Sequence, residues 1–198
     1  MNLRAGIAGA LLALLVYVSA GELLQAWVGL HFVAWDNRPH FGSENDRGEW
    51  QRVQRGIHFA QQAWPWKTSL HRDAARLQWF GARGRFVADE DAGRAMLAAT
   101  QRAATHSTEN GALLLLEAQG DMLLGDAEGL RDVTRRMRVA APHEPIYQEP
   151  LLLQAARRSV LKPSLAPVAR EIIADYAARE PARFASLAKR SIAVRLLL

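Results

Sequence analysis

The chain opens on a long apolar run. From Ala5 to Gly21 (AGIAGALLALLVYVSAG) no position is charged, and apolar residues continue past Glu22 through Leu23, Leu24, Trp27, Val28, Leu30, Phe32 and Val33 to Trp35. As a helix, Ala5 to Gly21 rises roughly 25 Å, close to the ~30 Å hydrocarbon layer that a membrane helix crosses. Two readings compete for this segment. Met1 to Arg4 is a short basic leader, Ala5 to Val18 an apolar core, and Val18-Ser19-Ala20 resembles a small-residue cleavage site before Gly21. The apolar and aromatic residues beyond that site favour an uncleaved anchor over residues 1–35, with Trp27 and Trp35 near the headgroups. Glu22 then lies at the interface or meets a membrane partner, because a carboxylate inside a bilayer is costly.

Beyond the anchor the pattern changes. Residues 36–49 (DNRPHFGSENDRGE) concentrate Asp, Asn, Gly, Ser and Pro and read as a linker. From Trp50 the apolar positions recur every three or four residues, the period of one buried helical face: Trp50, Val53, Ile57, Ala60 and Trp64, then Leu70, Ala74, Leu77 and Phe80. Pro65 stops the first of these helices, and Gly81 to Gly84 ends the second, giving a hairpin. Further helices are expected over Asp89 to Thr105, Gly111 to Leu124, Ala127 to Val139, from near Pro150 through Val160 until Lys162-Pro163, from Ser164 or Leu165 to Arg179, and from Ala182 to about Leu196. The turn between the first two of these holds His106, Ser107, Thr108 and Glu109. No stretch alternates with a period of two, so no sheet is expected.

Weak self-similarity runs through this set. Leu115-Leu116-Glu117-Ala118 resembles Leu152-Leu153-Gln154-Ala155, and Thr100-Gln101-Arg102 resembles Thr134-Arg135-Arg136. These offsets lie at or near the tetratricopeptide period of about 34 residues. The predicted fold is therefore all-α: an N-terminal transmembrane helix, then a tetratricopeptide-like array of antiparallel hairpins over residues 50–198. An irregular helical bundle is the alternative.

Charge orients the chain and narrows its partners. Arg4 precedes the span, whereas residues 36–49 carry both signs, so the N-terminus is expected in the cytoplasm and the helical domain in the periplasm of a bacterial inner membrane. The formal charge of +5 raises nucleic acid as a partner. Its cations are interspersed with acids as on solvated helix faces, and the anchor places the domain away from nucleic acid. There are no cysteines, which removes disulfides, thiolate metal sites and a Cys nucleophile.

The layout resembles VpsP, the short membrane-anchored proteins found with exosortase and exopolysaccharide gene clusters. The resemblance rests on the anchor, the hairpin around Trp64-Pro65-Trp66, the segment Ala140-Ala141-Pro142-His143-Glu144-Pro145 and the C-terminal helices around Ala169 to Lys189, covering Ile7 to Arg190. It implies an accessory scaffold for making or exporting an extracellular polysaccharide, with protein partners in that assembly.

Candidate chemistry is sparse. His31, His40, His58, His71, His106 and His143 form no metal-ligand spacing, although His58 and His71 flank Pro65 and could face one another. No Gly-x-Ser-x-Gly elbow or phosphate loop is present, and no cofactor is expected. Asp89, Glu90 and Asp91 read as capping and dipole charges at a helix start. The basic last helix reads as packing against its predecessor. An enzyme of envelope polysaccharide or cell-wall chemistry would have to draw on His71, Asp73 and Glu90. Trp66 and Trp79 fall off the apolar stripes and are the candidate partner-binding residues, since exposed aromatics mark binding faces.

Overall fold

The computed structural model describes residues 3–105, 107, 110–142 and 144–197, with side chains from Leu12 onward. His106, Thr108, Glu109 and His143 lie outside the described residues, among which every regular element is helical. Helix α1 (Leu3–Asp36) is continuous, about 50 Å long at 1.5 Å per residue, and long and apolar enough to cross a membrane.

Its apolar run conceals a stripe. Val28, Phe32 and Trp35 are buried against Trp50, Val53 and Ile57 of α2 (Glu44–Ala63) and Leu77 and Phe80 of α3 (Thr68–Arg83). Trp35 is thus no headgroup residue, contrary to the sequence expectation. It meets Phe32 and Phe80 edge-on at 5.8 and 5.3 Å, and its indole N–H donates to Glu49 (3.1 Å). Trp27 is half-buried, its ring 4.5 Å from that of His31 and tilted against it by 59°.

The segment read as a linker is partly helical, because α2 begins at Glu44. Ser43 and Asp46 form a capping box there, each side chain serving the other's backbone N–H. Burial pushes the Asp46 pKa up, but hydrogen bonds from Gly42, Ser43 and Arg38 outweigh it and hold the carboxyl well below the usual range. Arg38 also reaches Glu49 at 3.0 Å, tying the start of α2 to the end of α1.

The remaining helices are α4 (Asp89–Ala104), α5 (Gly111–Leu124), α6 (Ala127–Ala140), α7 (Pro145–Leu161), α8 (Ala166–Arg179), α9 (Pro181–Arg190) and α10 (Ile192–Arg195). Left-handed Gly125 (φ 78°) ends α5, and Asp126 caps α6 through Glu128 and Gly129 N–H. Helix α7 starts at Pro145 and not near Pro150. Pro145 fits the first helical position, and Pro150 forgoes one backbone bond inside the helix. The expected last helix breaks at Ser191, whose hydroxyl accepts from Val194 N–H and starts α10. Acids do crowd the first turn of α4, but its N-cap is Ala88, with no side-chain cap.

Consecutive helices pack side by side from α1 to α6 and from α7 to α10. In addition α3 touches both α1 and α5, and α5 touches α7, so α3, α5 and α7 lie in one row. Glycines permit the closest approaches. A Cβ at Gly93 would meet Gly120 O of α5 at 3.0 Å, so α4 and α5 meet nearly backbone to backbone. The larger core joins Leu114, Met122, Leu130, Met137, Leu152, Ile173 and Tyr176 across α5 to α8.

Candidate functional site: an arginine-rich groove along α3, α5 and α7

Helix α3 has two faces. Leu70, Leu77 and Phe80 point into the core, while Ser69, Arg72, Asp73, Arg76 and Trp79 line a cavity of about 390 Å³ closed by Leu115 and Gln119 of α5 and Tyr147 and Gln154 of α7. Trp79 and Gln154 also line an adjoining cavity of about 770 Å³, edged by Arg83, Arg85, Arg157 and Arg158. Together they form one groove along the α3, α5, α7 row.

Its electrostatics are basic. Six arginines and three aspartates line it. Asp36 at the end of α1 holds Arg76 at 2.7 Å and Arg83 at 3.6 Å, and Asp89 holds Arg158 at 2.7 Å. Among the described residues no carboxylate lies within ion-pair distance of Arg72, Arg85 or Arg157. Arg158 also lies 5.3 Å from the centre of the Trp79 ring, a cation–π contact that fixes the indole.

Two acceptors in the groove lack donors. Gln119 is buried and donates to Gln154 Oε1 (2.9 Å), which leaves its own Oε1 without a partner. Asp73 Oδ2 is likewise unpartnered. Burial pushes Asp73 up to about 6 against the opposing charges of Arg72 and Arg76. A buried acceptor without a donor is costly, so a ligand supplying N–H or O–H groups gains by occupying this surface.

The residues singled out from the sequence do not converge. Trp79 lies at the centre of the groove, half-buried. Trp66 is 61% exposed on the turn between α2 and α3, outside the groove. His71 faces the other way from Asp73, with Nε2 against Pro65 O (2.9 Å) and Nδ1 against Gln61 (3.2 Å), so it pins that turn. His58 lines the same cavity of about 410 Å³ as His71 but bonds to Gln62. Glu90 is exposed in the first turn of α4, 3.8 Å from Arg94. No group of three or more His, Asp or Glu among the described residues could hold a metal.

Sequence reasoning missed Gln119, Gln154 and the free arginines. The available signal was Gln119 itself, a polar residue inside the apolar run of α5, and its partner Gln154 within the similar stretch of α7. No family model, no curated protein and no solved structure matches this chain, so its function is read from the groove itself.

Proposed function

We propose that this chain is a membrane-anchored, tetratricopeptide-like scaffold, and that its groove holds an extended acidic segment of a partner protein in an exopolysaccharide-assembly system. The anchor is α1, with its N-terminus in the cytoplasm and the helical domain on the periplasmic side of a bacterial inner membrane. One observation carries the reading: the groove combines Arg72, Arg85 and Arg157, none within ion-pair distance of a carboxylate among the described residues, a fixed indole at Trp79 and orphaned acceptors on Gln119 and Asp73. Guanidinium groups pair with carboxylates in a bidentate fashion, the indole supplies an apolar platform, and side-chain amides match the alternating donors and acceptors of an extended backbone. The row of α3, α5 and α7 provides the continuous face that helical arrays use for such segments.

A photo-crosslinking residue in place of Trp79 tests this in cells. The expected product joins Trp79's position to an acidic stretch of an envelope protein, and a crosslinker at exposed Val139 on α6 does not give it. Identical products from both positions, or none from Trp79's, refute the groove.

A second reading draws on Asp73. Its raised pKa of about 6 and its place in a cavity suit a proton-transfer group in an envelope polysaccharide enzyme. Asp73→Asn separates the two: the amide keeps an acceptor oxygen in the groove but cannot exchange a proton, so a scaffold retains binding while an enzyme loses orders of magnitude in rate.

A further inference from the structure

We infer that the turn between α2 and α3 is a second membrane contact, with Trp66 seated at the headgroup boundary beside α1. The inference rests on α1 spanning the bilayer. Along the first half of α1, Leu12, Leu14, Leu15, Val16 and Val18 are all more than half exposed. With Ala13 and Tyr17, also exposed, these positions surround the helix at about 100° per residue, which is the surface of a segment solvated by lipid and not of an amphipathic core helix. Along the second half Leu23, Leu30 and Val33 stay exposed on one side of the helix, while on the opposite face Val28, Phe32 and Trp35 are covered by α2 and α3, and the outer face of α2 carries Arg52 and Arg55. Such a charged covering keeps that half out of hydrocarbon.

The bilayer edge therefore falls between these halves, and Glu22 marks it. From Arg4 to Glu22 the helix rises about 27 Å, matching the hydrocarbon thickness. The hairpin meets α1 at this level. Tyr17 Oη donates to Ala63 O, the Tyr17 and Trp64 rings lie 5.0 Å apart, and a Cβ at Gly21 would touch the Trp64 indole at 3.3 Å. Lys67 then closes on Glu22 at 2.6 Å. Trp66 lies between Trp64 and Lys67, in the turn, and most of its surface is exposed.

An exposed indole beside a cation, held where an apolar helix meets its first carboxylate, has the chemistry of the membrane interface. Phe59 (63% exposed) lies about one turn back along α2 from Ala63 and is a second uncovered aromatic ring on this hairpin. The occupant is the boundary between phospholipid headgroups and acyl chains, continuous with the lipid around α1. With two attachments, α1 and this turn, the α2/α3 hairpin is fixed relative to the bilayer, and so is the groove face of α3.

The chain has no cysteine, so single introduced thiols report cleanly. Full-length Trp66→Cys, Phe59→Cys, Leu15→Cys and Val139→Cys proteins are spin-labelled and reconstituted in vesicles of phosphatidylethanolamine and phosphatidylglycerol. Label depth is read from collision with oxygen and with a water-soluble nickel chelate. The expected result is a label at Leu15's position in hydrocarbon, one at Val139's in water, and labels at 66 and 59 showing a several-fold loss of nickel accessibility relative to Val139's. Labels at 66 and 59 as accessible to nickel as Val139's, with Leu15's in hydrocarbon, overturn the second contact while leaving the anchor intact. Nickel reaching Leu15's position as well overturns both.

Discussion

Replacing Trp35 by alanine distinguishes a membrane helix that merely precedes a domain from one that is built into it. Trp35 is fully buried, in ring contact with Phe32, Phe41 and Phe80. A buried tryptophan removes roughly 150–250 Å² from water, and at ~25 cal/mol per Å² that is about 4–6 kcal/mol. Large-to-small core substitutions of aromatic residues cost about 3–5 kcal/mol, in agreement. The lost hydrogen bond to Glu49 adds about 1 kcal/mol at most, because Arg38 still holds that carboxylate. Against a total stability of ~5–15 kcal/mol the change removes a large share. Urea unfolding of the detergent-solubilised protein, followed by far-ultraviolet circular dichroism, measures it. Leu30→Ala, on the exposed face of the same helix, serves as the reference and is expected within about 0.5 kcal/mol of the parent. If Trp35→Ala unfolds like Leu30→Ala, α1 does not pack into the domain and the aromatic cluster is misassigned.

Three further outcomes follow from burial and charge. Leu152→Asp places a charge at a fully buried site and is expected to abolish cooperative unfolding in the same experiment, whereas Leu115→Asp, half-buried in the groove, leaves a folded protein. Asp121 is pushed up to about 7 by burial and by the neighbouring carboxylates of Asp126 and Glu117. The folded state therefore keeps a proton that the unfolded chain releases near pH 4, and the stability associated with this group falls as pH rises from about 4 to 7. Asp121→Asn lacks that fall, so it gains on the parent by about 1–2 kcal/mol between those pH values after solvent screening; parallel stability curves contradict it. Carbonate washing is expected to leave the protein in the membrane pellet, since α1 exceeds any peripheral attachment; release into the supernatant contradicts an intact anchor.

The helices were legible wherever one face is apolar and the other polar. The bounds of residues 111–124 and the start at Ala127 coincide with Asn110, Gly125 and Asp126, which cap these helices, while the start at Asp89 carries the acids of a first turn without a side-chain cap. The pattern misled in two ways. In α1 apolar residues occupy both faces, so the buried stripe of Val28, Phe32 and Trp35 does not stand out within the run. Around Ser43 the composition of a linker and that of a capped helix start coincide, since both favour Ser, Asn, Asp and Gly. The site was half legible. Trp79 stood out because it departs from the α3 stripe, but Gln119, Gln154 and Arg157 acquire meaning only when α3, α5 and α7 lie side by side, a long-range arrangement no local spacing encodes. Leu115 and Leu152 show the same limit: similar local sequences, yet one is half-buried at the groove, packed on the edge of the core, and the other is fully buried within it.

The groove is tested most directly by charge reversal in a strain lacking the protein, with exported polysaccharide as the readout. Arg72→Glu combined with Arg157→Glu turns two of the three groove arginines that lack an ion pair into carboxylates without touching a core residue. The account predicts that this variant inserts, folds and fails to support export, that Trp79→Ala fails likewise, and that Arg94→Glu on the exposed face of α4 supports it fully. Normal export from the doubly reversed protein would contradict the groove as the working surface.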